Sequence, residues 1–266
     1  HPLFGKLLSL ICCARQWKSG KTLLMRLLAD NAAIAGRNFD VIVSAGSVLA
    51  PVNLLLSKTS VKTASVQIMT PSIIPLKFFD FLIIPFHDYL KIKNRKPGNF
   101  IVTLGAPNLI NENFLSQEKI KLVEMINIPQ GKRKIGVLIG GDDQNYGISA
   151  SFMQKLTDVL RKAEDSCVFL YTTSRRTREE AVVHLQNCLK DSRSAAYAEY
   201  PGYSETSHYP GMLSLCDLII VTEDSVNMIS EAASCGKPVI ILGVERKKRK
   251  KLVFDLTVAK FCEKGY

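Results

Sequence analysis

The sequence predicts an α/β protein built as two doubly wound domains with parallel sheets. Short β-rich runs alternate with helical patterns from Phe39 to the C-terminus, the order expected of βα units. The runs are continuously apolar rather than strictly alternating, the pattern of strands covered on both faces. The alternation is interrupted once, by the polar, Pro- and Gly-containing "IPQGKRK" (128–134), a hinge that separates a domain 1–130 from a domain 131–266. A chain of 266 residues is close to the size at which one core gives way to two.

In chain order, the amphipathic "SGKTLLMRLLADNAAIAG" (19–36) predicts a helix. "FDVIVSAG" (39–46), "KTASVQIM" (62–69), "FDFLIIPF" (79–86) and "NFIVTLGA" (99–106) predict the strands of the first block. "SVLAPVNLLLSKT" (47–59) is long enough for a crossover helix between the first two. "SQEKIKLVEMIN" (116–127) predicts the last helix before the hinge. The second block has strands at "KIGVLIGG" (134–141), "CVFLYTTS" (167–174), "CDLIIVT" (216–222) and "PVIILGV" (238–244). Helices are predicted in "SASFMQKLTDVLRKAE", "REEAVVHLQNCLK" and "SVNMISEAAS", with a polar loop through "YPGYSETSHYP".

Hydrophobic content of 47% and charged content of 22% exclude a disordered chain. No apolar run reaches the ~20 residues of a spanning helix. The formal charge of +11 points to a negatively charged partner: nucleic acid, an anionic lipid surface or a phosphorylated small molecule. "ERKKRKK" (245–251) has no aromatic-studded sheet or helix-turn-helix beside it, so it predicts a solvated face or one resting on anionic head groups, and no nucleic-acid partner. Seven cysteines without metal-like spacing predict buried thiols in a reducing compartment, with neither disulfide nor zinc. The opening "HPLFGKLLSLICC" has no Met, no basic n-region and no cleavage site, and is read as a fragment or a processed start rather than a signal peptide. "ARQWKSGKT" ends like a P-loop, but Arg15 stands where that pattern needs Gly, which excludes an NTPase.

In open α/β sheets ligands gather beyond the carboxyl ends of the strands, so the turns there are the candidate sites. Gly140 and Gly141 in "GVLIGGDDQNYG" suit either close approach of a phosphate or a tight turn. Ser174, Arg175, Arg176 and Thr177 offer two guanidiniums and two hydroxyls to an oxyanion, or a solvated helix start. In "VTEDSVNMISEAASCGKPV", Asp224 or Ser225 can cap a helix, and Glu231 inside it can accept ribose hydroxyls or face solvent. His87, followed by Asp88, is a candidate general base oriented by a carboxylate, or a structural histidine.

The stretches "FDFLIIPFHD", "GVLIGGDDQNYGIS", "TTSRRT" and "YPGMLSLCDLIIVTEDSVNMISEAASCGKPV", in this order, resemble the elongated-mitochondria family of plants and its bacterial homologues. The resemblance runs from about Phe39 to the C-terminus. It implies a GT-B-like fold of two facing Rossmann-like domains, and its bacterial members are regarded as glycosyltransferases or, in an older view, nucleoside-diphosphate-sugar epimerases. The run from Val221 to Val239 is also similar to that of the glycosyltransferase which adds N-acetylglucosamine to the peptidoglycan lipid precursor. That likeness implies donor ribose on Glu231, a donor pocket along Thr222, Glu223, Asp224, Ser225 and Met228, and a glycine loop at Gly140 and Gly141. Ser174, Arg175 and Arg176 would add to the donor side, His87 and Asp88 would be catalytic, and Gly46 and Ser47 would lie on the acceptor side. The family normally opens with a further strand and a Gly-containing loop, so the first domain is expected to lack its first strand. Thr222-Glu223-Asp224 is more acidic than a diphosphate pocket should be.

These observations predict a glycosyltransferase that moves a sugar from a nucleoside-diphosphate sugar to a cell-envelope or lipid-linked acceptor. No bound cofactor or metal is expected, the nucleotide sugar being a substrate. The expected location is cytoplasmic, peripheral on the inner face of an anionic membrane. The alternatives are a non-catalytic, membrane-associated adaptor of the mitochondrial-fission type and a nucleoside-diphosphate-sugar epimerase.

Overall fold

The computed structural model describes residues 2–27, 37–59, 62–92, 94, 98–201, 207–247 and 253–265. The chain folds as two compact units, His1–Pro107 and Asn108–Tyr266.

The first unit begins with α1 (Pro2–Cys13) and α2 (Trp17–Leu27) and continues into β1 (Val41–Ala45), α3 (Gly46–Ser57) and β2 (Ala64–Ile68). A 3-10 turn (Leu76–Phe78), β3 (Phe81–Pro85), α4 (Phe86–Ile92) and β4 (Phe100–Thr103) complete it. The four strands lie in the order β1-β2-β3-β4, every neighbour parallel. Leu8 and Cys12 of α1, Leu24 of α2 and Ala50, Leu54 and Leu55 of α3 share one core with Leu82 and Ile84 of β3. Buried Asn53 joins α3 to the sheet: its amide nitrogen donates to Ile42 O at 3.0 Å and Val66 O at 2.8 Å, which offsets the cost of burying that nitrogen, while its Oδ1 is buried without a hydrogen-bond partner among the described residues.

The opposite face of this sheet departs from the expectation of cover on both sides. Val41 and Val43 of β1 and Ile101 of β4 are exposed, and the pairings Val43↔Val66 and Ile83↔Ile101 put them on the face away from the core. The continuous apolar run at β1 therefore has a helical layer on one side only among the described residues.

The second unit contains α5 (Glu112–Val123), β5 (Arg133–Leu138), β6 (Tyr146–Gly147), α6 (Ala150–Arg161), β7 (Cys167–Thr172) and α7 (Glu179–Leu189). β8 (Ala195–Glu199), α8 (Tyr209–Leu215), β9 (Leu218–Thr222), α9 (Val226–Ser234), β10 (Val239–Leu242), β11 (Glu245–Arg246) and α10 (Val253–Glu263) follow. Its main sheet runs β10-β9-β5-β7-β8, all parallel. The amphipathic spacing of α6 is explicit: Met153, Leu156, Thr157 and Leu160 are buried, one stripe of a 3.6-residue period. Ser149 caps it by accepting from Phe152 N–H at 3.1 Å, and Asn111 caps α5 in the same way.

The hinge expected near residue 130 is instead at 107/108. α5 belongs to the second unit because it packs along α8: a Cβ on Gly211 of α8 would run into the Glu118 carbonyl, so glycine there sets the close helix approach. Besides the 3-10 turn, seven elements escaped the sequence reading: α1, α4, β8, α8, the β6/β11 antiparallel pair and α10. β8 is an edge strand whose first four residues, Ala195-Ala196-Tyr197-Ala198, are only half-buried, and alanine is depleted in strands, so the run does not register as one.

Candidate functional site

In the second sheet β5 lies between β7 and β9, Leu138 pairing with Thr172 on one side and Val221 on the other. Successive crossovers leave β5 in opposite directions, so this is the switch point where an open α/β sheet offers a crevice. The turns after β5, β7 and β9 meet there, and they carry Gly140, Gly141, Ser174, Arg176, Thr222 and Asp224.

The turns are laced to one another. Gly140 N–H donates to Thr222 Oγ1 at 2.7 Å and Gly141 N–H to Asp224 Oδ2 at 2.8 Å. Arg176 reaches the same Asp224 Oδ2 with Nη2 at 3.3 Å and the Gly141 carbonyl with Nη1 at 3.4 Å. Asp142 N–H donates to Arg176 O at 3.1 Å, and Thr177 Oγ1 donates to Gly140 O. The glycine pair is required by this closure: a Cβ on Gly140 would meet the Asp224 carboxylate, and one on Gly141 the Arg176–Thr177 backbone. The two N–H groups that the sequence directs at a phosphate are therefore donated to side chains of the same unit.

This resolves the acidic turn. Asp224 is 3% exposed; burial pushes its carboxyl above the usual carboxylate range, although the Thr222 hydroxyl, the Gly141 N–H and the Arg176 guanidinium pull it down. Glu223, also buried, turns elsewhere: it pairs with Arg246 and accepts from Val244 N–H at 3.2 Å. Arg246 also reaches Asp255 Oδ1 at 3.0 Å, fixing β11 and α10 to the sheet. Two buried acids without partners would be prohibitive, whereas each here has a guanidinium.

Ser225 caps α9, accepting from Met228 N–H at 3.4 Å. Met228 is half-buried on the first turn, where the positive end of the helix dipole lies. Glu231 is half-buried further along α9, beside the buried Tyr209 hydroxyl; burial raises its carboxyl and the tyrosine hydroxyl lowers it. Arg175 is exposed. Ser174 is half-buried and accepts from Arg176 N–H at 2.9 Å.

In the first unit, His87 and Asp88 occupy the first turn of α4, each 5% exposed. Asp88 does not hold the imidazole: its Oδ1 stands 3.7 Å from His87 Nε2 and 2.8 Å from Lys91 Nζ, and its Oδ2 accepts from Thr70 N–H at 3.3 Å. Burial would raise Asp88, but Lys91 overrides it and keeps the carboxyl low. Burial lowers His87, with Asp88 opposing, so the ring is neutral at pH 7. Gly46, at φ +74, starts α3, and Ser47 Oγ sits 2.9 Å from Ser72 Oγ after β2.

Sequence reasoning missed Glu199, Tyr209 and Arg246. Glu199, buried at the end of β8, accepts from Ser207 Oγ at 3.0 Å and His208 N–H at 2.8 Å; only recognition of β8 would have found it. Lys248 to Lys251 of the basic run lie outside the described residues. Among the described residues no helix is long and apolar enough to cross a membrane.

The model of the family described as mitochondrial fission ELM1 matches residues 8–266, and the chain belongs to that family. An uncharacterized protein of Rickettsia prowazekii (strain Madrid E) is 28% identical over 234 residues, covering 76% of this chain and 64% of the relative. The mitochondrial fission protein ELM1 of Arabidopsis thaliana is 30% identical over 195 residues, covering 66% of this chain and 44% of the relative. The chain thus spans less than two thirds of the length of either relative. Among solved structures, a Listeria monocytogenes protein described as a UDP-N-acetylglucosamine 2-epimerase superposes with a TM-score of 0.56 at 13% identity, covering 90% of this chain and 64% of that one. The UDP-GlcNAc 2-epimerase of Neisseria meningitidis, bound to UDP-GlcNAc, gives 0.50 at 17% identity, covering 83% and 62%. At these identities the likeness is one of fold: GT-B-like, with Rossmann-like parallel sheets.

Proposed function

We propose that this member of the ELM1 family is a glycosyltransferase that takes a nucleoside-diphosphate sugar on its second unit and passes the sugar to a cell-envelope or lipid-linked acceptor. The observation that carries the reading is the convergence of three strand-end turns and the N-terminus of α9 at the β5/β9 switch point, the place where such sheets hold nucleotides. Because Gly140, Gly141 and Arg176 are engaged within the unit, the diphosphate falls to exposed Arg175 and the first turn of α9. Glu231 takes the ribose hydroxyls, with Tyr209 as its neighbour. On the acceptor side, neutral His87 accepts the proton of the acceptor hydroxyl, whose oxygen attacks the anomeric carbon. The nucleoside diphosphate leaves with the bonding pair.

Thermal-shift and calorimetric titration with a panel of nucleoside diphosphates and nucleotide sugars tests this. Binding that Glu231→Ala weakens while the fold is kept supports the reading. The adaptor reading is favoured by one observation, the internal closure of the Gly140–Gly141 turn, and it gains if no member of the panel binds. An epimerase would interconvert a nucleotide sugar with no acceptor present; a transferase would not.

A further inference from the structure

The β2–β3 connection of the first unit lines an open cavity of about 540 Å³, formed by residues 70–77 with Lys91 and Ile92 of α4. Its size is within the range of small-molecule sites, and it lies between the connection that follows β2 and the last turn of α4. None of the roles assigned to the donor side involves it. We propose that it binds an organic phosphate carried on an apolar chain.

The lining divides by chemistry. Ile74, 3% exposed, and Ile92, 7% exposed, form an apolar floor, while Ile73, 45% exposed, stands at the mouth. Burying an alkyl chain against that floor is favourable in proportion to the area removed from water. Lys77 and Lys91 supply the charge. Asp88 holds Lys91 Nζ at 2.8 Å while 52% of the lysine side chain stays exposed, and an ammonium with one hydrogen bond made has two more to give. Since Asp88 balances that charge, Lys77, exposed and without an ion pair among the described residues, gives the cavity its net positive sign. The Thr70 and Ser72 side chains add hydroxyls beside it.

The cavity is also preformed. Pro71 and Pro75 restrict its wall. Met69, immediately before it, is held at φ 65, a left-handed conformation that costs a non-glycine residue about 1–2 kcal/mol. Buried Gln67 helps keep it there, its amide donating to Ile68 O at 2.7 Å and Met69 O at 3.3 Å. A strained residue held by its surroundings at the rim of a cavity is the arrangement found at ligand sites, and a rigid site loses less entropy when it fills.

The test is independent of the donor reading, because it uses no nucleotide. The chain's single tryptophan, Trp17, packs edge-on against Phe78 with ring centroids 5.6 Å apart, next to Lys77, and so reports on the cavity by fluorescence. Dodecyl phosphate is titrated below its micelle-forming concentration and followed by Trp17 emission and calorimetry; inorganic phosphate and dodecyl maltoside are the controls. Saturable binding of dodecyl phosphate, weakened at least about tenfold in both Lys77→Glu and Ile73→Asp with unchanged circular dichroism and Tm, is the expected result. Equal affinity for inorganic phosphate, equal affinity for the maltoside, unchanged binding in both variants, or no binding at all would overturn it. Vesicles of phosphatidylcholine with and without phosphatidic acid separate the sources. Phosphatidic-acid-dependent binding lost in both variants assigns the ligand to a bilayer; dodecyl phosphate binding without vesicle binding assigns it to a free lipid phosphate.

Discussion

The carboxyl edges of the two sheets are built from similar turns and end in opposite states. In the second unit the turns after β5, β7 and β9 are tied together by Thr222, Asp224 and Arg176, and the glycines there have no room for a methyl group. In the first unit Gly46 has nothing within 4 Å of where its Cβ would be, and the connection after β2 lines an open cavity. A glycine after a strand is thus explained by crowding in one unit and by backbone conformation in the other. In the first unit the connection itself leaves space for a ligand, whereas in the second the closed turns leave a nucleotide to exposed Arg175, the first turn of α9 and Glu231.

The largest effect is expected from Gly141→Ala, whose Cβ meets backbone rather than a flexible side chain; urea unfolding of the second unit should show a loss of about 3 kcal/mol. If the variant is as stable as the parent, the turns are not closed. Asp224→Ala should come next, at about 2 kcal/mol, because it leaves the Gly141 N–H buried without an acceptor. Asp224→Asn keeps that acceptor and should fall well short of the alanine variant by the same measurement. Gly46→Ala in the first unit should lose only about 1 kcal/mol, the strain of φ +74 without a clash.

The smallest effect is one of pH. Burial lowers His87, against the opposing charge of Asp88 and with Lys91 adding to the depression. The unfolded chain therefore binds the proton more readily than the folded one. The stability of the first unit should fall as pH drops below about 6.5, the unfolded value, and level off once the folded value is passed. His87→Gln should remove that component from the pH profile of unfolding, and an NMR titration of the ring should give a midpoint below that of a free histidine.

The legible parts of the molecule were those with short-range causes. Strands such as β5, β7 and β9 are continuous apolar runs, and Ser225, a candidate cap, does start α9; the helix expected at 116–127 instead runs Glu112–Val123 from its cap Asn111. The grouping of Gly140, Ser174, Arg176, Thr222 and Asp224 was also legible, because topology brings the ends of parallel strands together. Their mutual bonding was not: a carboxylate looks the same in sequence whether it faces a ligand, as expected of Asp224, or a neighbouring N–H. Glu223 shows this most plainly, since its partner Arg246 is 23 residues away in a strand too short to register as a pattern. The boundary at 107/108 escaped because it depends on α5 packing along α8, while the Pro- and Gly-containing hinge after α5 is merely a turn into β5.

The most direct measurement is calorimetric titration of the chain with UDP and UDP-sugars, and with the other nucleoside diphosphates, in parallel with Glu231→Ala. Saturable binding of at least one nucleotide is expected, weakened about tenfold or more in Glu231→Ala while the melting transition is unchanged. No heat of binding from any nucleotide, or the same affinity with and without the Glu231 carboxylate, would contradict it.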